Sequence, residues 1–500
     1  MVYSSRKIER VFLLFPPVRL YNETMKLVFP PLGISYIASV IRDIVDVKLM
    51  DAVAEGFYNE VELDQEFLMY GSSYDDILKR IQEFKPDIVG ITCLFSSVFP
   101  VIRELCRRIK QWNPETITIT GGAYPTFMAE QLLAKEQDLD LIALGEAEYT
   151  MRDLILAIRK DGDISGIDGL AWKEKGNVRL NPKTRWIENL DEIPFPARDL
   201  LPMNLYPEII VPHSFSSKEK LNTPMITSRG CPAKCTFCSS SRYWGHRYRW
   251  RSAENVLDEI GELISKWGIR EIQFEDDNFT ANKKRSKEIF RGILERGYKI
   301  SFNMPNGIAV WTLDDEMIEL MKAAGCYEVT LAFESGCQEV LNNIIKKPLN
   351  LEKAREITKK IHRAGIHTNA FYIFGFPGET REQIKETFRF ARQVKTNMAY
   401  FFIANPLPGT ELYERALAEG LLPEDFNFEN LTFTRYIYKP KYFNPRELER
   451  MAGREFVKYN ILSFFRNPWF LFKKAILDLL LRRPRYTLGL LLRVYRRNLR

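Results

Sequence analysis

The run Ser228-Arg229-Gly230-Cys231-Pro232-Ala233-Lys234-Cys235-Thr236-Phe237-Cys238 crowds three of the chain's seven cysteines into eight positions, spaced C-x3-C-x2-C. Thiolates are soft ligands that suit zinc and iron–sulfur clusters. A structural zinc closes four ligands and this loop supplies three, unless His246, eight residues beyond Cys238, supplies the fourth. A 4Fe–4S cluster is held by cysteine thiolates. With three of them, one iron stays open to a small molecule, and the loop becomes a reaction centre rather than a staple. The other cysteines, Cys93, Cys106, Cys326 and Cys337, are scattered, as small buried side chains often are.

The surroundings of the loop decide the fold. Strand-like runs at 224–228, 271–274, 299–302, 328–332, 367–374 and 398–404 alternate with helical patterns. Six such βα units predict a partial (β/α)6 barrel over 224–420. The cysteine loop follows its first strand, at the C-terminal mouth where barrel sites are built. Upstream, apolar runs at 8–15, 45–50, 87–92, 116–120 and 139–144 alternate with helical stretches near 33–42, 74–84, 101–112, 126–135 and 149–159. This pattern predicts an α/β N-terminal domain over 1–160, a doubly wound, Rossmann-like parallel sheet whose ligands sit at the strands' carboxyl ends. Residues 161–223 break the rhythm with Pro, Asn, Asp and Lys and read as a hairpin around Lys175-Gly176-Asn177 plus a linker. Residues 421–500 read as a helical C-terminal region.

C-x3-C-x2-C after the first strand of a βα series, with Phe237 before the third cysteine, resembles the radical S-adenosylmethionine superfamily. Further pieces fall at matching places. Glu275-Asp276-Asp277-Asn278-Phe279 ends the second barrel strand, Asn306-Gly307 follows the third, and Phe333-Glu334-Ser335-Gly336 ends the fourth. Gly375-Phe376-Pro377-Gly378-Glu379-Thr380 ends the fifth and Pro406-Leu407-Pro408-Gly409-Thr410 the sixth. The resemblance implies that Cys231, Cys235 and Cys238 hold a 4Fe–4S cluster whose open iron chelates S-adenosylmethionine. It places the ammonium near Glu275, Asp276, Asp277 and Asn278, the ribose hydroxyls near Glu334 and Ser335, and the adenine near Phe237. The backbone at Gly375 and Phe376 would approach the ligand closely, which glycine permits. In that family an external reductant delivers one electron, and the resulting 5′-deoxyadenosyl radical abstracts hydrogen from an unactivated carbon.

The N-terminal domain has no G-x-G-x-x-G after its first strand and no P-loop, which weakens nicotinamide and nucleoside-triphosphate readings. It does carry Phe29-Pro30-Pro31-Leu32-Gly33, Gly121-Gly122-Ala123-Tyr124-Pro125-Thr126 and Gly145-Glu146-Ala147-Glu148. These are similar to the cobalamin-binding domain found upstream of many radical enzymes. The resemblance implies corrin contacts at Thr92, Ser96, Ser97, Gly121, Gly122, Tyr124, Gly145 and Glu146. The first 212 residues contain no histidine. The D-x-H-x-x-G signature that supplies a lower cobalt ligand is therefore absent, which implies cobalt without an imidazole below it.

The whole chain carries a net charge of +7. Residues 461–500 alone hold eight Arg and two Lys against one acid, Asp478, a local +9, so the rest is slightly acidic. That excludes a bulk nucleic-acid signature for the body. Pro468-Trp469-Phe470-Leu471-Phe472-Lys473-Lys474-Ala475-Ile476-Leu477-Asp478-Leu479-Leu480-Leu481 predicts an amphipathic helix, stopped by Arg482-Arg483-Pro484-Arg485 and followed by further Arg. Aromatic and basic residues together suit a membrane interface, and no apolar run reaches bilayer-spanning length. No signal peptide is visible and the cysteines form no disulfide framework. The expected location is cytoplasmic, peripheral on the inner face of the membrane.

Together these readings point to a cobalamin-dependent radical enzyme that methylates an unactivated carbon of an apolar, membrane-associated substrate: a lipid, isoprenoid, hopanoid or porphyrin. Oxidative cyclisation, as in anaerobic magnesium-protoporphyrin monomethyl ester cyclases, is the rival within the family. A non-enzymatic metal-knuckle protein that docks on membranes or nucleic acid is the rival outside it.

Overall fold

The computed structural model describes residues 7–22, 24–211, 213, 217–431 and 443–468. They fall into two compact units that divide at residue 212.

The first unit contains β1 (Arg10–Phe15), β2 (Val18–Tyr21), β3 (Asp46–Asp51), β4 (Glu60–Glu62), β5 (Phe67–Tyr70), β6 (Ile88–Thr92), β7 (Ile117–Gly121), β8 (Leu141–Ala143), β9 (Leu170–Glu174) and β10 (Asn177–Asn181). Its main sheet has the order β10-β9-β8-β7-β6-β1-β3. The strands β3, β1, β6, β7 and β8 are mutually parallel. The chain winds to one side from β1 to β3 and to the other from β1 to β6, the reversal that opens a ligand crevice at the carboxyl ends in doubly wound sheets. Near-continuous apolar runs such as Val11, Phe12, Leu13 and Leu14 are buried because helices cover both faces.

The stretch 161–223 contributes more than a linker. Its hairpin pairs β9 with β10 and adds both to the sheet antiparallel to β8. Leu170, Ala171 and Trp172 are buried there, so the hairpin covers what would otherwise be an open edge. A small antiparallel sheet, β2-β5-β4, also escapes the sequence reading. Its strands are three or four residues long and show no sustained alternation.

The second unit contains β11 (Asn222–Met225), β12 (Ser228–Arg229), β13 (Arg249–Trp250), β14 (Glu271–Phe274), β15 (Ser301–Ile308), β16 (Cys326–Glu334), β17 (His367–Phe374) and β18 (Met398–Ile403). The order β11-β14-β15-β16-β17-β18 is sequential and every pairing is parallel, as six successive βα units require. One sheet face sends Ile272, Phe274, Phe302, Leu331, Phe333 and Phe401 into a single apolar cluster with the helices. The alternate positions are polar: Gln273, Asn303, Thr330 and Asn369 are buried on the other face.

Local chemistry sets the helix ends. Ser252 accepts from Asn255 N–H at the start of Ala253–Trp267, and Gly268, at φ 66°, closes it. Thr380 and Gln383 form a reciprocal capping box at the start of Arg381–Val394. The last described element is the helix Pro445–Arg466. The expected amphipathic tail helix from residue 469 onward lies outside the described residues.

Candidate functional site

The cysteine loop leaves β12 through Gly230, which has φ 85°. A side chain there would place Cβ 2.0 Å from the Arg247 carbonyl oxygen, so only glycine fits. The loop is then tied down from three directions. Gly230 N–H donates to Asp277 Oδ2 (3.1 Å). Thr236 donates through its N–H to Ile345 O (3.0 Å) and through Oγ1 to Ile344 O (2.9 Å). Leu412 N–H donates to Thr236 O (2.9 Å). Residues from after β14, before Lys346 and after β18 thus hold one short segment in place.

All three cysteines are partly exposed as residues. Burial nevertheless pushes their pKa values up, for Cys235 to about 11 and for Cys238 to about 12. Only the thiolate is a metal ligand, so loading must displace protons. Among the described residues, no group of three or more His, Cys, Asp or Glu side chains is arranged to hold one metal ion. A cubane differs from zinc in this respect, because each cysteine binds a separate iron. His246, the fourth ligand of the zinc alternative, has Nδ1 within 3.0 Å of Ser241 Oγ. Asn278 Nδ2 lies 3.7 Å from Cys231 Sγ, a donor aimed at sulfur.

The four polar residues after β14 divide by role. Asp276 is buried and accepts from Thr227 N–H (3.1 Å), Thr227 Oγ1 (2.8 Å) and Ser228 Oγ. It anchors the start of the loop, because Thr227 and the first residue of β12 bring those donors directly against it. Asp277 likewise serves the loop through Gly230. Glu275 differs: its Oε2 meets His213 Nδ1 (3.2 Å), while its buried Oε1 makes no hydrogen bond among the described residues. A buried carboxylate oxygen without a donor is costly, and an ammonium group would satisfy it.

Glu334 ends β16 with φ 64°, in the left-handed region that a non-glycine residue adopts only when its surroundings enforce it. Its carboxylate pairs with Lys347 Nζ at 2.9 Å, both side chains under a tenth exposed. Burial opposes the charge on Lys347, but Glu334 and Cys235 outweigh it and hold its pKa above the usual lysine value. Lys347 Nζ also sits 5.3 Å from the Trp311 ring centroid. The sequence reading passed over Lys347. In Lys346-Lys347-Pro348 it looks like one of two solvated lysines, yet it is buried against the cysteine loop.

Ser335 turns inward: its Oγ lies 3.0 Å from Thr387 Oγ1 and accepts from Cys337 N–H (3.1 Å). Phe237 and Phe376 come together with ring centroids 5.9 Å apart. The Gly375–Phe376 turn is shaped by Glu379, whose Oε2 accepts from both N–H groups at 2.6 and 3.1 Å. Burial raises the Glu379 pKa to about 8.

In the first unit the expected contacts gather at the carboxyl ends of β6, β7 and β8. Thr92 and Gly121 are the last residues of their strands. Cys93 N–H donates to Gly121 O (2.8 Å). Gly122, at φ 122°, lies so close to this crossing that a Cβ would sit 2.2 Å from Cys93 O. Gly145 N–H donates to Thr126 Oγ1 (3.1 Å), linking the β7 and β8 loops. Ser96 and Ser97 open a single helical turn beyond the exposed Leu94 and Phe95. Tyr124 and Glu146 are buried in supporting roles: Tyr124 packs edge-on to Phe99, and Glu146 Oε2 accepts from Ile187 N–H (3.0 Å). The glycine-lined edge suits a large planar ligand with a slender tail.

Comparison with known proteins agrees with both halves. Residues 225–391 match the Radical SAM superfamily and residues 18–155 the B12 binding domain. The chain is 33% identical over 484 residues to cytidylyl-2-hydroxyethylphosphonate methyltransferase of Streptomyces wedmorensis, covering 90% of each chain. It is 34% identical to an uncharacterized methyltransferase of Pyrococcus horikoshii, covering 95% of this chain and 98% of that one. It is 28% identical to the anaerobic magnesium-protoporphyrin IX monomethyl ester cyclase of Rubrivivax gelatinosus, covering 89% and 75%. Among solved structures, the radical S-adenosylmethionine methyltransferase TsrM of Kitasatospora setae, with cobalamin and a [4Fe-4S] cluster bound, shares the fold. It aligns with TM-score 0.69 and 17% identity, over 90% of this chain and 91% of that one. The cofactors of this enzyme are a 4Fe–4S cluster, S-adenosylmethionine and cobalamin. The chain belongs to the cobalamin-dependent radical S-adenosylmethionine methyltransferases.

Proposed function

We propose that this enzyme transfers a methyl group to an unactivated carbon. The observation that carries the reading is full-length similarity to two methyltransferases, each covering at least nine-tenths of both chains, against 75% of the cyclase. When bound, the cluster and S-adenosylmethionine supply hydrogen-abstracting chemistry, and cobalamin supplies a methyl carrier. The chain's own residues bind and orient. Cys231, Cys235 and Cys238 ligate the cluster, and Asn278 donates to the Cys231 sulfur. Glu275 Oε1 accepts from the methionine ammonium. Lys347, already charged and buried beside the loop, pairs with the methionine carboxylate. Glu334 then accepts from ribose hydroxyls, and the Phe237–Phe376 pair flanks the adenine. Thr92, Ser97, Gly121, Gly122 and Gly145 line the corrin edge.

The substrate class we favour is apolar and membrane-associated, supported by the aromatic and basic sequence of 461–500. A nucleotidyl phosphonate is the second reading, favoured by the name of the Streptomyces relative. The test supplies the reconstituted enzyme, anaerobically, with S-adenosylmethionine carrying a deuterated methyl group. A lipid and tetrapyrrole extract is offered in one arm and cytidylyl-2-hydroxyethylphosphonate in the other. Label in one extract component supports the first reading, and label in the phosphonate supports the second. Loss of hydrogens without label uptake would return the chain to ring closure.

A further inference from the structure

The helix Pro445–Arg466 changes character along its length. Its inner face is seated throughout: Leu448, Ala452, Tyr459 and Ser463 are buried at helical spacing. Tyr459 OH donates to Thr396 O (2.9 Å), Ser463 Oγ to Asn397 O (2.6 Å) and Asn460 Nδ2 to Ala399 O (3.1 Å), fixing the helix beside β18. The outward face begins with Arg446, Arg450 and Arg454, all exposed. After that it turns apolar. Val457 is 54% exposed, Ile461 51%, Phe464 41% and Phe465 75%. A soluble helix normally keeps its outward face polar, and a contiguous exposed apolar patch marks an interaction surface.

Two features identify what covers it. Exposed cations, Arg454 and Lys458, flank the patch. The sequence beyond it continues Trp469-Phe470-Leu471-Phe472-Lys473-Lys474 and holds nine more basic residues from 473 to 500 against the single Asp478. An apolar patch rimmed by cations and continued by aromatic–basic sequence complements an anionic lipid surface. No helix among the described residues is long and apolar enough to cross a membrane.

We propose that the outward face of residues 456–466 docks on the surface of an anionic membrane, with Val457, Ile461, Phe464 and Phe465 entering the headgroup boundary. The proposal deepens the membrane-associated reading above and rests on it for the substrate, though not for the contact itself.

The experiment pellets the full-length reconstituted enzyme with phosphatidylglycerol vesicles and, separately, with phosphatidylcholine vesicles. Retention on the anionic vesicles at least about tenfold above the neutral ones is expected, weakened by high salt. The variant I461S/F464S/F465S should lose about tenfold or more of that retention. Should it fail to keep its iron and corrinoid, R454E/K458E serves instead and should weaken binding to anionic vesicles alone. Equal retention of variant and parent overturns the proposal. So does a parent that ignores vesicles but forms a dimer that the serine variant dissociates, which would make the face an interface between copies. Cleavage of S-adenosylmethionine, measured in detergent, is scored separately. Its loss with vesicle binding intact sinks the methyl-transfer reading alone.

Discussion

In the proposed site Glu275 and Lys347 serve one end of S-adenosylmethionine, but they differ in what else depends on them. Glu275 Oε1 has no hydrogen-bond partner among the described residues. E275Q should therefore weaken S-adenosylmethionine binding by roughly 10- to 100-fold, the loss of one charge-assisted hydrogen bond, with little change in thermal midpoint. Lys347 already neutralises the buried Glu334. K347M should cost about 3–5 kcal/mol of stability by stranding that carboxylate, in addition to weakening the ligand. Calorimetry with and without S-adenosylmethionine separates the two. A K347M chain that melts like the parent would remove Lys347 from this role. The sequence exposed Glu275 and hid Lys347 for one reason: a carboxylate at a strand end announces itself, whereas a lysine in a Lys-Lys-Pro run reads as solvated until the chain folds over it. Nor could spacing tell Glu275 from Asp276. Which of two neighbours faces the mouth depends on the donors that β12 presents.

At the level of elements, the turn after β17 contains a titrating carboxyl in a structural position. Glu379 is fully buried, and burial moves its pKa from the usual 4.5 to about 8. A carboxyl raised on folding binds its proton more tightly in the folded chain. Its contribution is fully present below about pH 4.5 and is lost as pH rises through about 8. The E379Q variant keeps an acceptor for Gly375 and Phe376 N–H and removes the titration. Its thermal midpoint should fall less than the parent's between about pH 5 and pH 8. Parallel curves for the two proteins would contradict this account. Elements with strong periodicity were readable in advance: the βα alternation announced both parallel sheets. The hairpin β9–β10 was seen as a hairpin, but its pairing with β8 was not. Edge pairing depends on which apolar edge remains open after folding, and the local pattern does not encode that.

For the whole molecule, two cofactor sites belong to two units with separate cores. The C231A/C235A/C238A chain should lose its iron and form no 5′-deoxyadenosine, yet keep its corrinoid absorbance. G122A, which drives a Cβ against Cys93 O, should do the reverse and lose most of its corrinoid with iron intact. Loss of both cofactors in either variant would show that the units do not load independently. The cofactor set was legible because each depends on a short loop at a predictable strand end. The substrate was not, since no comparable motif encodes it and much of the supporting sequence lies past residue 468, outside the described residues.

The absence of histidine from the first 212 residues has a practical corollary. All four imidazoles, at 213, 246, 362 and 367, lie on the same side of the division between units. Selective isotope labelling of histidine would leave the corrin-binding half spectroscopically dark. His213, 3.2 Å from Glu275, would be a built-in reporter at the mouth of the other half. Its ring resonances offer a way to watch S-adenosylmethionine arrive without turning the enzyme over.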